Sequence, residues 1–312
     1  MGNSIYEKRT PKIFGIGQQT VVGNNTTAAI LLAKNHQTSE FILECVIAQP
    51  YTIAPTGFNI DETLKRIELE VNGKMRVAAS VLSIDSLNNL TEGNTLGRLV
   101  LDVPNLTAYY HFSVELHMET DGCPNDFLTM INSPSTLALT VTTGDNSAFV
   151  GGTMSAVVKP TYTINVVVRD YGVEHHYENG ELMCSLREKV LVDNKSKTSG
   201  TPIMLDGKCA TRFISLQTGL LVGTVFTPND DIMTNIRITI DGKTTITTFY
   251  QLKNILARLR SFSEAGVSGF DFGDQLSGFA KSDSDIIIEY DLNNPTAAQY
   301  KIVVGHNAIR EA

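Results

Sequence analysis

The sequence predicts an all-β chain made of two similar sandwiches in tandem, each with a short accompanying helix. Three observations carry this reading. First, Ile67-Glu68-Leu69-Glu70-Val71-Asn72-Gly73-Lys74 recurs as Ile236-Arg237-Ile238-Thr239-Ile240-Asp241-Gly242-Lys243. In both, apolar residues alternate with polar ones and run into Asn-Gly or Asp-Gly, the pattern of a half-buried strand entering a tight hairpin. Second, the flanking segments recur in the same order, which marks a duplicated unit rather than a chance hairpin. Third, the chain of 312 residues is 42% hydrophobic and 19% charged and carries 24 glycines, a globular composition with the many turns that many strands need.

Taken in order, residues 1–20 read as an arm, with Lys8, Arg9 and Lys12 close to turn-prone Pro11 and Gly15. A first β domain is expected over 21–170, with strands near 26–34, 40–48, 66–72, 74–82, 97–103, 109–118, 136–143 and 162–169. Alternation decides each of these. Leu137, Leu139 and Val141, for example, share one face of the strand near 136–143. Ile84 to Leu90 reads as a short helix after the first hairpin. The stretch Asp121 to Ser135 carries Gly122, Pro124 and Pro134 and is loop-like, as is the small-residue run from Thr143 to Gly152.

Residues 171–205 break the pattern and read as a connecting segment, with a short strand or helix around Glu181 to Val192. A second β domain is expected over 206–312, with strands near 209–216, 220–227, 235–241, 243–249, 268–272, 285–291 and 299–305. Between them Tyr250 to Phe262 places Leu252, Ile255, Leu256 and Leu259 at helical spacing, so a helix is expected to cover an end or edge of the sandwich.

The echoes between the halves go beyond the hairpin. Phe41 to Ile47 is matched with Leu220 to Phe226, and the preceding runs Ala28 to Ala33 and Phe213 to Leu216 with each other. Leu87-Asn88-Asn89-Leu90 is matched with Leu252-Lys253-Asn254-Ile255, and Tyr162-x-Ile164-x-Val166 with Tyr300-x-Ile302-x-Val304. Gly73 and Gly242 lie further apart than Tyr162 and Tyr300, so the second copy has the shorter loops.

Charge and motifs bound the function. The net charge of −8 repels phosphate backbones, so no direct nucleic-acid binding is expected, though a local basic patch is compatible with it. The cysteines Cys45, Cys123, Cys184 and Cys209 form no CxxC, which argues against structural zinc, and Cys45 reads as a buried free thiol. No apolar run is long enough to span a membrane as a helix, and Met1 to Tyr6 lacks the core of a signal peptide. Tyr6 also stands where a myristoylation pattern wants Ser or Thr. Any membrane contact is expected to be peripheral.

Candidate ligand groups are few. Adjacent His175 and His176 point to opposite sides of an extended chain, and His111 and His117 are too far apart on one strand to share a metal. Asn229-Asp230-Asp231, Asp283 and Asp285 offer oxygens that could hold a structural calcium, but there is no EF-hand pattern. No nucleophile elbow, P-loop or HExxH is present, and Gly269 to Gly273 does not follow the dinucleotide pattern. No catalytic residue, cofactor site or metal site is assigned, and an enzyme is not expected.

Two sandwiches of about eight strands suggest two eight-stranded jelly rolls. With strand–turn units ending Val71-Asn72-Gly73-Lys74 and Ile240-Asp241-Gly242-Lys243, each followed by a helical element, the chain resembles the double jelly-roll major capsid proteins of tailless icosahedral viruses. Within them it looks most like the compact versions in membrane-containing phages, such as the corticoviruses and the lipid-containing phage of Flavobacterium. The resemblance covers nearly the whole chain and rests on architecture and short motifs. It implies a homotrimer whose six jelly rolls form a pseudo-hexagonal capsomer, tiling a shell with neighbouring capsomers and other capsid proteins such as a penton. It further implies a virion component, made in the host cytoplasm, standing over an internal lipid bilayer. The arm at Lys8, Arg9 and Lys12 would then face the membrane, and loops 119–135 and 143–160 would form towers or subunit contacts.

Three rival readings differ in what they require. A two-domain cupin enzyme needs a histidine–carboxylate cluster inside one barrel. A virus spike or receptor-binding protein more often shows a stalk or coiled coil. A secreted adhesin or lectin needs a signal peptide, and the absence of Trp weakens sugar stacking.

Overall fold

The computed structural model describes residues 12–34, 37–38, 40–71, 73–91, 97–117, 128–129, 137–170, 183–193, 201–208, 210–260, 263–272, 280, 282–293 and 299–310. The first sandwich contains β1 (Lys12–Val22), β2 (Thr27–Leu31), β3 (Glu40–Ile53), β4 (Leu64–Val71), β5 (Lys74–Ala79), β6 (Thr107–His117), β7 (Leu137–Thr143) and β8 (Thr161–Asp170). Helix α1 (Val81–Thr91) follows β5. The second contains β9 (Met183–Asp193), β10 (Ile203–Leu205), β11 (Ala210–Val222), β12 (Met233–Ile240), β13 (Lys243–Thr248), β14 (Val267–Asp271), β15 (Ile286–Leu292) and β16 (Gln299–Arg310), with α2 (Phe249–Arg260) after β13.

The strand orders reveal the duplication. One sheet of the first sandwich runs β1-β8-β3-β6 and the other β2-β7-β4-β5; in the second sandwich the orders are β9-β16-β11-β14 and β10-β15-β12-β13. Each order in the second half is the first with every strand replaced by its counterpart. This interleaving of non-consecutive strands in two facing sheets is the jelly-roll arrangement.

Alternation builds both cores. Phe41, Leu43, Cys45 and Ile47 of β3 face Leu64, Ile67, Leu69 and Val71 of β4 across the first, with Tyr162, Ile164 and Val166 of β8 beside them. The second gathers Ile214 and Leu216, Ile236 and Ile238, Ile286 and Ile288, and Tyr300, Ile302 and Val304. The Tyr-x-Ile-x-Val echo is therefore the inward face of the last strand of each jelly roll.

Several sequence expectations shift. The arm expected over 1–20 is a strand from Lys12 onward: β1 pairs along β8 from Lys12–Asp170 to Val22–Thr161, and its Ile16 and Val21 enter the core. The connecting segment expected over 171–205 contains β9, paired with β16 from Met183–Arg310 to Asp193–Tyr300, and also β10. Both strands take their order from partners more than eighty residues away, which local pattern does not display. The counterpart of β3 is β11, so Phe213 to Leu216 corresponds to the strand of Phe41 to Ile47. Leu220 to Phe226 instead spans the end of β11, a turn at Gly223 and the short strand Val225–Pro228. The strand expected near 97–103 is an added strand, Arg98–Asp102, hairpinned onto β6.

Candidate assembly surface

The two jelly rolls are joined by a specific, largely buried seam. Strands β5 and β9 pair in parallel, Val77 opposite Leu186 and Ala78 opposite Arg187, so one sheet of each sandwich becomes part of a single continuous sheet. Parallel pairing here means that both jelly rolls stand side by side with the same end up.

Helix α1 fills the angle between them. Ser80 caps it, its Oγ accepting from Ser83 N at 3.1 Å. Val81 and Ile84 turn into the first core, while Leu82 packs with Phe226 and Val303 of the second jelly roll and Leu87 borders its Gly305. Ser86 Oγ meets Ser215 Oγ at 2.7 Å, fully buried. Gly305 makes this approach possible: a Cβ there would lie 2.4 Å from Ser215 Oγ and 2.9 Å from Leu87 Cγ. At one end of the seam Lys301 Nζ donates to both Asp61 oxygens, at 2.5 and 2.6 Å, and Asn59 Nδ2 donates to the Thr224 carbonyl at 2.6 Å.

A charged cleft of about 320 Å³ opens beside this ion pair, lined among others by Asp61, Glu62, Lys65, Asp145 and Lys301. Its charges answer one another. Lys65 bonds Asp145 at 2.8 Å and Glu62 accepts from the Asn146 backbone at 2.8 Å. The cleft offers ion pairs rather than a nucleophile with a base.

The sequence-predicted positions fall at definite places. The hairpin turns of both jelly rolls use left-handed backbone, with φ of 73° at Gly73, 50° at Asp241 and 72° at Gly242, as a two-residue primed turn requires. Strand directions put both turns, Lys12, Met183 and Arg310 at one end of the molecule. Lys12 and Lys243 are exposed there. Lys8, Arg9, Asn72, Cys123, His175, His176 and Cys209 lie outside the described residues; Lys74 and Cys184 fall within β5 and β9.

The described flanks of the two loops expected to act alike lie at opposite ends. Residues 119–135 connect the end of β6 to the start of β7, whose flanks His117 and Leu137 lie at the Lys12 end, whereas 144–160 joins β7 to β8 at the other end.

Of the oxygens considered for calcium, those of Asn229, Asp230 and Asp231 accept from protein donors, Asn229 from Asp231 N at 2.7 Å. Asp230 accepts from Lys253 Nζ and Gly266 N, both at 2.6 Å, and Asp231 from the Tyr250 hydroxyl at 2.7 Å. Asp241 accepts from the Ser282 hydroxyl at 2.6 Å and Asp283 N at 3.0 Å; these bonds, Ser282 first, hold its carboxyl below the usual range. Among the described residues no group of three or more His, Cys, Asp or Glu is placed to hold a metal. His111 is exposed on β6. Cys45 is a buried free thiol whose pKa burial pushes far up, with Glu44 adding to the shift, which leaves it inert.

No protein-family model matches the chain, and no curated protein does. Solved structures do. A chain of the PBCV-1 virus capsid is similar at TM-score 0.63 and 14% identity, over 99% of this chain and 97% of that one. A chain from the atomic structure of Sulfolobus Turreted Icosahedral Virus gives 0.65 and 15%, over 96% and 90%. The major capsid protein of bacteriophage PM2 gives 0.54 and 11%, over 96% and 98%. At such identities the likeness is one of fold, and it runs from end to end of each chain. Two copies of one strand order, a helix after the fifth strand of each and full-length coverage lead to one statement: the chain is a double jelly roll, built like the major capsid proteins of these viruses.

Proposed function

We propose that the chain is a structural major capsid protein that trimerises into pseudo-hexagonal capsomers, which tile an icosahedral shell over an internal lipid membrane. The observation that supports this best is the seam. Two like jelly rolls stand side by side, same end up, locked by a continuous sheet, a buried helix and an ion pair. Such a unit is a rigid brick with two similar lateral faces, suited to a ring of six domains from three chains. The arm carrying Lys8, Arg9 and Lys12 leaves from the end that holds both hairpin turns, and this end faces the lipid. The loop 144–160 is at the opposite, outer end. Work of this kind is geometric and needs no catalytic group.

Electron microscopy of the purified protein or its particle tests the reading, together with native mass. A mass near three times 34.1 kDa and pseudo-hexagonal capsomers are expected. A protein that stays monomeric at every concentration and forms no lattice overturns it.

A further inference from the structure

The duplicated architecture leaves half of each seam unused. Internally, strand β5 of the first jelly roll joins β9 of the second. Their counterparts are β13 and β1, and among the described residues each is the outermost strand of its sheet, with Ala33 N bonding Ile16 O of β1 beyond Ile13 and Phe14. Open edges of this length are normally blunted or covered, yet these two carry Ile246, Ile13 and Phe14, 70%, 69% and 41% exposed.

Registers place the counterparts residue by residue. The hairpin glycines match Glu68 with Arg237; Glu68 pairs with Ala78 and Arg237 with Ile246, so Ile246 stands for Ala78. The shared tyrosines match Val168 with His306; Val168 pairs with Phe14 and His306 with Arg187, so Phe14 stands for Arg187. Internally Ala78 and Arg187 are partners in the parallel pair.

The helices tell the same story. Val81 and Ile84 of α1 face their own core as Phe249 and Leu252 of α2 face theirs. Leu82, Ser86 and Leu87, which α1 presses on the second jelly roll, therefore correspond to Tyr250, Asn254 and Ile255, and the sequence echo that matched Leu87 with Leu252 is one helical turn out of step. Tyr250 and Ile255 are 50% and 49% exposed. The sheet that receives α1 presents Ser215 and Val303; by register these correspond to Ile42 and Asn165 on the outer face of β3 and β8.

From this correspondence, and resting on the reading of the chain as a self-assembling brick, we propose a specific contact with a second copy. Strand β1 of one copy adds in parallel to β13 of the next, Phe14 beside Ile246, and α2 of that next copy lies on the outer face of β3 and β8 around Ile42 and Asn165. The contact is head-to-tail, so each copy uses one face as donor and the other as acceptor, and repetition closes a ring. It does not duplicate the internal seam atom for atom. Val167 stands where Gly305 lets α1 approach, so α2 sits further from the sheet than α1 does.

The internal pair Ser86–Ser215 supplies the test, because its intermolecular counterpart is Asn254 with Ile42. The variants Asn254→Cys and Ile42→Cys are made singly, together and co-expressed, then oxidised and run on non-reducing gels beside native mass. The double variant is expected to give a covalent ladder ending at the trimer. Co-expressed single variants should stop at a covalent dimer, and each single variant alone should show no more cross-linking than the unmodified protein. A further variant, Ile246→Asp, alters only an exposed side chain and is expected to shift the mass from trimer to monomer with unchanged thermal unfolding of the monomer. A trimeric mass without cross-links above the single variants overturns this contact while leaving the capsid reading standing. A monomer under all conditions overturns both.

Discussion

At the scale of single residues, the seam depends on a few polar contacts held out of water. Lys301 and Asp61 are both nearly buried and answer only across the two jelly rolls. Removing one partner strands the other charge, which costs more than the pair itself contributes. Lys301→Met is expected to destabilise the fold by roughly 2 kcal/mol, below the ~3–5 kcal/mol of a fully buried pair because some solvent reaches both groups. Adding Asp61→Asn should recover much of the loss. Urea unfolding of both variants checks this. A second residue effect concerns acid. Arg237 bonds Asp291 through both oxygens, at 2.7 and 3.1 Å, and with Asn235 holds that carboxyl below its usual range. A carboxyl with a lowered folded pKa adds stability that is complete above its unfolded value near 4 and fades as pH falls through the folded one. Asp291→Asn should therefore lose this contribution near pH 7, slightly lowering stability there, and flatten the further loss below about pH 4. Thermal melts across pH 2–7 read it. The group is more than a third exposed, so the effect is small.

At the scale of elements, the two helices show what a duplicated part becomes in two environments. Helix α1 is buried on nearly every side from Val81 to Asn88, and its small Ser83 and Ser86 suit close contact. Helix α2 keeps Phe249, Leu252 and Leu256 inward and leaves Ile255 and Leu259 half exposed. Leu82→Ala should cost about 3 kcal/mol, the usual range for a fully buried leucine, whereas Ile255→Ala should leave the monomer within about 0.5 kcal/mol. Chemical denaturation of the two variants separates them. The same contrast explains what the sequence could reveal. The hairpins at Gly73 and Gly242 were legible because turn chemistry is local, and the last strands were legible through the inward Tyr-x-Ile-x-Val face. Helix α2 announced itself by its stripe, but the stripe mixed two faces: Leu252 and Leu256 go to the core, Ile255 and Leu259 to the outside. An element around Glu181 to Val192 was legible as a strand or helix, but not the place of β9 in the second sandwich, because its order comes from β16 and β5, far off in the chain. The seam was hidden for the same reason: Ser86, Ser215 and Gly305 are unremarkable residues until the fold brings them together.

At the scale of the whole molecule, the parallel β5–β9 pair fixes polarity, and polarity gives the arm its meaning. Both hairpin turns, the start of β1 and the end of β16 share one end, so Lys12, and with it the point from which the proposed basic arm leaves, belongs to that end. A protein of net charge −8 approaching an anionic bilayer is repelled on average, so any attraction has to come from a local cluster. Each basic residue near such a surface contributes about 1 kcal/mol, and the attraction dies within a Debye length of ~8–10 Å. Replacing Lys8, Arg9 and Lys12 by Gln one at a time is then expected to lower partitioning onto anionic phospholipid vesicles about fivefold per residue at low salt. The dependence should vanish on neutral vesicles and shrink at 0.5 M salt. Flotation assays measure it, and in the proposed trimer three arms would multiply a weak individual attraction. Equal losses on neutral and anionic vesicles would mean that the arm does not act by charge, and binding unchanged by all three replacements would place the lipid contact elsewhere on the molecule.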